Sequence, residues 1–229
     1  FEKLGVQVAS AATFTSNIQF WRDAGYFDSG AHEKWLLHTW SLSVEWQFYI
    51  FYPIAILIIK RFFTAQSIKW FIVVGALISF ALSALLPMRW LDAGFYLLPT
   101  RAWEMMAGGL LFIFPTSLSK TNARRIEVAG LLLIAAGILL LDSHLKWPGW
   151  LAIIPVLGTS LVIFSANTSS LITNNLLMQF LGRISYSFYL WHWPVCVALF
   201  YFDKEKCALW ISVGMASSLV FATLSFHCI

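Results

Sequence analysis

The segment "LLHTWSLSVEWQFYIFYPIAILIIKR", residues 36–61, contains the boundary on which the fold depends. Between Glu45 and Lys60 there is no charged residue, and the run from Phe48 to Ile59 is aromatic or aliphatic apart from one proline. A helix needs roughly 20 residues to cross the hydrocarbon core, so the pattern predicts a span over about 43–60. His38, Glu45 and Gln47 lie at or just inside the entrance to that span. A carboxylate is tolerated in the first turns of a helix because the N-terminus carries partial positive charge. Glu45, Tyr49 and Tyr52 also follow an i, i+4, i+7 spacing and share one face. Either Glu45 only caps the helix, or the three side chains line a polar cavity; the spacing admits both.

The rest of the chain agrees with a membrane reading. Of its 229 residues, 59% are hydrophobic and 11% charged, and the mean hydropathy is +0.75. Soluble domains carry about 25% charged residues, so this chain has too little polar surface to coat a globule in water. Twelve tryptophans fit the enrichment of that residue at membrane interfaces. The net charge of +4 comes from basic residues scattered beside apolar runs, which points to membrane topology and away from nucleic acid. Cys196, Cys207 and Cys228 lack metal-type spacing and read as small buried fillers. The chain begins at Phe1 and ends on "FATLSFHCI" within an apolar run, as expected of an internal piece of a longer protein.

Residues 1–41 read as an extracytoplasmic loop with an interfacial helix at about 4–20, followed by turn signals in "RDAGYFDSGAHEK". Residues 42–229 read as an all-α transmembrane bundle. Its seven spans are expected near 43–60, 69–87, 102–115, 127–142, 150–166, 184–201 and 207–228. On alternate sides, one set of loops holds Lys60, Arg61, Lys69, Lys120, Arg124, Arg125 and Arg183, and the other Arg89, Arg101, Lys146, Lys204 and Lys206. The excess of seven over five assigns the first set to the cytoplasm.

Ionisable groups inside spans are costly and usually face protein or a wet cavity. Besides Glu45, two further clusters stand out. In "LLPTRAWEMMAGG", Arg101 and Glu104 are spaced to pair on one helix face, Thr100 is placed to cap the helix, and Gly108 is placed to admit a close neighbour. This is either a structural ion pair or a charged cavity wall. In "FLGRISYSFYLWHWPV", Ser185, Tyr189 and His192 form a hydroxyl, phenol and imidazole stripe with Arg183 at its inner mouth, and Pro194 removes a helical hydrogen bond. The tryptophans beside His192 suit an interface belt equally well. The chain has no glycine-rich nucleotide loop, zincin motif or nucleophile elbow. His32, His38, His144, His192 and His227 are too dispersed along the sequence to argue for a metal.

These segments, together with "FTSNIQFWRDAGYFD", resemble the membrane acyltransferase-3 family of the O-antigen acetylase type, in order and over nearly the whole chain. The resemblance implies a multi-pass protein of the bacterial inner membrane. It would transfer an acyl group, usually acetyl from acetyl-CoA, to hydroxyls of a surface glycan such as lipopolysaccharide O-antigen or exopolysaccharide. No tightly bound cofactor is implied; the expected partners are the lipid bilayer, the glycan acceptor and acetyl-CoA. The family's catalytic histidine lies in a first span that has no counterpart here, and Trp46 stands where many relatives have a second glutamate.

On that basis Glu45 and His38 are expected near the acceptor, and Arg101 and Glu104 at the outer rim of the cavity. His192, Tyr189 and Ser185 are expected to line the cavity and orient substrate or base, and Tyr49 and Tyr52 to continue the face of Glu45 towards the substrate. Arg124, Arg125 and Arg183 are the candidates for CoA phosphates. The competing readings are a transporter or flippase, whose permeation path the same stripes would line, and a non-catalytic scaffold of glycan export.

Overall fold

The computed structural model describes residues 2–24, 30–115, 118–142 and 149–228. Lys146, His144 and the turn residues 25–29 lie outside them. The described residues form helices and turns with no strand, as the composition predicts. Two units build the chain: residues 1–43 with 170–229, and residues 44–169.

In the first unit, α1 (Glu2–Ala12) and α2 (Ser16–Asp23) replace the single interfacial helix expected at the N-terminus. The break falls at Phe14, whose φ of 54° lies in the left-handed region and ends α1. A 3-10 turn at Ala31–Glu33 leads to the start of α3 (Thr39–Phe62). The unit is completed by α9 (Leu176–Tyr201) and α10 (Ala208–Cys228). Asn175 caps α9, its side chain accepting from the Met178 amide at 2.9 Å. The turn after α9 closes through the Lys204 amide on the Leu199 carbonyl at 2.8 Å, with Asp203 at a φ of 54°. Gly214 allows α10 to lie against α9, since a Cβ there would come within 2.8 Å of Leu199.

The second unit holds the rest of α3 with α4 (Ala65–Leu85), α5 (Leu91–Tyr96), α6 (Leu98–Ile113), α7 (Lys120–Leu140) and α8 (Ile153–Ser165). Thr64 and Ser119 cap α4 and α7 by accepting from the amides of Ser67 and Asn122. Ser79 joins α4 to α6: its hydroxyl donates to the Pro99 carbonyl at 2.7 Å and accepts from the Trp103 amide at 2.9 Å. The α7–α8 pair packs backbone to backbone. A Cβ on Gly130 would lie 2.6 Å from the Gly158 carbonyl, and one on Gly158 would lie 2.9 Å from the Gly130 carbonyl.

A helix lies near each of the seven expected spans. Three segments, Thr39–Phe62, Gln66–Met88 and Ala208–Cys228, are long and apolar enough to cross a membrane. Outward side chains such as Phe112 and Leu139 are apolar and exposed, the surface expected of a multi-pass membrane protein, for which lipid takes the place of water.

Several local expectations change. α3 begins at Thr39, ahead of the predicted start. Thr100 does not cap α6; it lies inside the first turn and its hydroxyl donates back to the Leu97 carbonyl at 2.7 Å. Gly108 has no neighbour within 4 Å of its would-be Cβ, whereas Gly109 makes room for the Tyr52 hydroxyl at 3.3 Å. All three cysteines are exposed, so they do not fill a protein core.

Candidate functional site

The first unit brings His38, Ser41, Tyr189, His192 and Trp193 together. The turn before α3 is held from both sides. In front, the Ser16 and Ser43 hydroxyls bond at 2.7 Å, and Thr39 donates to Ser16 at 3.1 Å, all three buried. Behind, two side chains on one face of α9 grip its backbone. The Tyr189 hydroxyl donates to the His38 carbonyl at 2.7 Å and takes the Ser41 hydroxyl at 2.6 Å, while the Trp193 indole donates to the Lys34 carbonyl at 2.9 Å. Tyr189, His192 and Trp193 lie at i, i+3 and i+4, the spacing that puts side chains on one helical stripe.

The two imidazoles meet edge to face, with ring centroids 5.8 Å apart. The His192 Nδ1 lies 2.6 Å from the Tyr189 carbonyl oxygen. A carbonyl only accepts, so Nδ1 carries the proton, and in the neutral form of the ring the lone pair is therefore at Nε2. His38 is 6% exposed, and neither of its ring nitrogens has a hydrogen-bond partner among the described residues. Burial pushes its pKa down to about 4, with the nearby His192 adding to the effect, so His38 is neutral at physiological pH.

His192 also lines a cavity of about 240 Å³ with His32, Phe188, Leu199, Glu205 and Gly214. His32 stacks on Phe200 with centroids 4.7 Å apart. Thus three of the five sequence-dispersed histidines belong to one neighbourhood, although no group of three or more metal-ligating side chains occurs among the described residues. The cluster can position a hydroxyl and take its proton through a fixed imidazole nitrogen.

Ser185 is not part of this cluster. It is exposed and its hydroxyl turns back to the Gly182 carbonyl of its own helix at 2.8 Å. Arg183, at the start of the same helix, is exposed. Trp193, for which an interface belt was one of two readings, donates its indole N–H to the Lys34 carbonyl. Buried Lys34, whose ammonium sits 5.6 Å from the centre of the Phe20 ring, is a site neighbour that periodicity could not single out.

The second unit holds the other expected residues. The Arg101 Nη1 and Glu104 Oε1 pair at 2.8 Å, and the Arg101 Nε donates to the Phe95 carbonyl at 3.2 Å. Arg101 is buried and lines a second cavity, of about 420 Å³, together with Glu104. Glu45 is half-buried on α3; Tyr52 stacks on Phe48 at 4.8 Å, while Tyr49, 58% exposed, looks outward. Arg124 and Arg125 are exposed in the first turns of α7. Glu127, which no motif signalled, is buried and accepts from the Asn167 amide at 2.7 Å.

Comparison with known proteins gives one consistent answer. The profile of the acyltransferase-3 family, described as an acyltransferase domain, matches residues 4–227. BcsY of Komagataeibacter xylinus, which carries the name of a membrane-bound transacylase, is 30% identical over 197 residues, covering 84% of this chain and 50% of BcsY. The peptidoglycan O-acetyltransferase OatA of Listeria monocytogenes is 25% identical over 234 residues, covering 93% of this chain and 38% of OatA. The O-acetyltransferase OatA of Staphylococcus aureus is 28% identical over 192 residues, covering 77% and 32%. The chain therefore spans half or less of the length of these relatives. No solved structure matches it.

Proposed function

Because the chain belongs to the acyltransferase-3 family, we propose that it serves a membrane O-acyltransferase which moves an acyl group from a thioester donor, acetyl-CoA in the first instance, to a hydroxyl of a cell-surface glycan. The observation that carries this reading is the fixed tautomer of His192, whose Nε2 lone pair is set by the Nδ1 bond to the Tyr189 carbonyl. In the reaction, the glycan hydroxyl gives its proton to Nε2 while its oxygen attacks the thioester carbonyl carbon. The carbon–sulfur bond then breaks, and the leaving thiolate recovers the proton from the imidazolium. Neutral His38 beside it adds no positive charge that would oppose the imidazolium, and the Tyr189 and Ser41 hydroxyls hold the His38 turn in place.

The acceptor class includes lipopolysaccharide O-antigen and exopolysaccharide, and also peptidoglycan, since relatives are peptidoglycan O-acetyltransferases. The bacterial inner membrane is the location that gives one protein both a cytosolic thioester and an external glycan. Arg124, Arg125 and Arg183 are exposed cations suited to the donor's phosphates. Glu45 and the Arg101–Glu104 pair serve the acceptor side.

The test is O-acetyl analysis by NMR of the surface glycan from a deletion strain complemented with the complete gene product or its variants. General acid–base catalysis contributes about 10²–10⁴-fold, so His192→Gln should lose at least ~100-fold of the O-acetyl signal at equal protein level. Wild-type acetylation by His192→Gln would place the base outside these residues. A complemented strain that moves glycan without consuming acetyl-CoA would make the protein a transporter.

A further inference from the structure

The 420 Å³ cavity of the second unit lies between the first two-thirds of α6, from Arg101 to Gly108, and most of the length of α8. Along α8 it runs from Ala152 to Ile163, about 16 Å at 1.5 Å per residue. Its size falls within the roughly 300–1,000 Å³ of small-molecule sites. Its lining has two characters. Met105, Pro155, Val156 and Ile163 form an apolar wall, and Arg101, Glu104, Thr159 and Ser160 bring donors and acceptors to it.

The polar groups restrict the ligand. A phosphate or carboxylate would seek an uncompensated cation, but the Arg101 charge is met by Glu104 at 2.8 Å and its Nε by the Phe95 carbonyl. A hydrocarbon tail would bring no hydrogen-bonding group to the Thr159 and Ser160 hydroxyls or to the accessible part of Glu104, an unfavourable match for this lining. The hydroxyls of Thr159 and Ser160 supply a separate observation. Several helical hydroxyls turn back onto their own backbone, as Ser165, Ser212, Ser218 and Thr223 do. That local bond is the usual refuge of a hydroxyl in an apolar setting. Buried Ser83 has no partner among the described residues and lines no cavity described above. Thr159 and Ser160 make no hydrogen bond among the described residues.

A neutral polyol satisfies all of these conditions. It offers hydroxyls that both donate to Glu104 and accept from Arg101, Thr159 and Ser160, and it has an apolar C–H face for Val156 and Ile163. At ~30 Å³ per water in the liquid, the cavity holds on the order of a dozen waters, comparable to the non-hydrogen atoms of one hexose. We propose that this cavity is a subsite for one neutral pyranose ring of the glycan. The proposal deepens the acyl-transfer reading, from which it takes a glycan as the substrate. The loops leading into α6 and α8 belong to the less basic set, the one placed outside the cell by charge counting, where such a glycan would be met.

Saturation-transfer NMR of the complete protein in lipid nanodiscs tests this with two probes, methyl β-D-glucopyranoside and methyl β-D-glucuronide. The neutral glucoside should receive saturation on its ring protons, and the Thr159→Val/Ser160→Ala double variant should weaken its binding roughly 30-fold, from the loss of two hydrogen bonds. Thr159 is exposed and Ser160 half-buried, both on the cavity wall, and circular dichroism checks that the variant keeps its helices. Absence of transfer to the glucoside, equal binding by the double variant, or tighter binding of the glucuronide overturns the proposal. In the acylation assay the same variant should raise the acceptor KM with kcat retained. An unchanged KM in an enzyme that still acylates glycan sinks this subsite alone. Glucoside binding without any acyl transfer sinks the acyl-transfer reading and leaves the subsite.

Discussion

His38 should make the protein lose stability as the pH falls, by an amount its surroundings fix. In the folded chain its pKa is about 4, against an ordinary value of 6.5. Folding therefore favours the neutral ring, and between those two values it is the unfolded chain that binds the extra proton. Linkage then gives the sign: stability is full above pH 6.5, declines as the pH drops towards 4 and levels off below, where both states are protonated. At 1.36 kcal/mol per pKa unit the whole window amounts to about 3 kcal/mol, of which about 2 kcal/mol is lost by pH 5. The assay is denaturant unfolding of the detergent-solubilised protein between pH 7.5 and 4, followed by far-ultraviolet circular dichroism. His38→Gln, which cannot titrate, is the reference. The difference between the two proteins should grow as the pH falls, wild type losing ground relative to the variant. A histidine-labelled NMR titration should show the His38 ring unprotonated through pH 5. Parallel pH profiles for the two proteins, or a His38 midpoint near 6.5, would refute the argument that this imidazole is buried without partners.

Three further outcomes follow from the packing. Tyr189→Phe removes the hydroxyl shared by His38 and Ser41; Ser41 retains its own 3.3 Å bond to the His38 carbonyl, so the cost should stay near ~1 kcal/mol, and a loss above about 3 kcal/mol in denaturant unfolding would contradict that sharing. Gly130→Ala drives a methyl to within 2.6 Å of a backbone carbonyl that has no rotamer to yield, so it should destabilise by about 3 kcal/mol, the upper end of overpacking, and an unchanged melting temperature would show that α7 and α8 are not in backbone contact. Glu104→Gln leaves buried Arg101 without its counter-charge; because Glu104 is 28% exposed, screening limits the cost to about 1–2 kcal/mol, and the Arg101→Met/Glu104→Leu double variant should be more stable than either single replacement. A strictly additive double variant would mean that the pair is not coupled.

The helices were legible because apolar runs of span length leave few alternatives; their starts were less so, since the caps at Thr64, Ser119 and Asn175 lie well ahead of the apolar runs expected from about 69, 127 and 184. The site was legible in halves. Spacing within α9 pointed to Tyr189 and His192, but the group they serve, the His38 turn, is about 150 positions away, and no periodicity argument reaches across that distance. Spacing also included Ser185, wrongly in spatial terms, because a hydroxyl in an apolar helix can satisfy itself on the preceding turn and needs no partner in a cavity. The start of α3 was misplaced for the same reason: Thr39 and Ser41 belong to the helix because Ser16 and Tyr189 bind them, which is tertiary information.

Apolar residues carry the least information about inside and outside in a chain of this class. Ile184, 1% exposed, and Leu139, 82% exposed, sit in runs of similar hydropathy. In water the second would argue against the fold, but in lipid it does not, since the bilayer solvates a leucine as well as a protein core does. The cysteines were assigned to a core on the same faulty equation of apolar with interior. Polar groups escape the ambiguity, because lipid offers them nothing and each must find a partner, a cavity or a ligand. Applied to this chain, that test sorts the polar side chains. Ser79, Glu127 and Ser185 have found partners within the protein. His38, Thr159 and Ser160 have none among the described residues, and His192 offers the nitrogen that its own backbone bond leaves open. Buried Ser83 and Trp103 also lack partners among the described residues, so an open polar group points to a ligand only where it borders a cavity; His192, beside His38, and Thr159 and Ser160 do, which is why a proton-accepting site and a polyol subsite are the two readings these residues support.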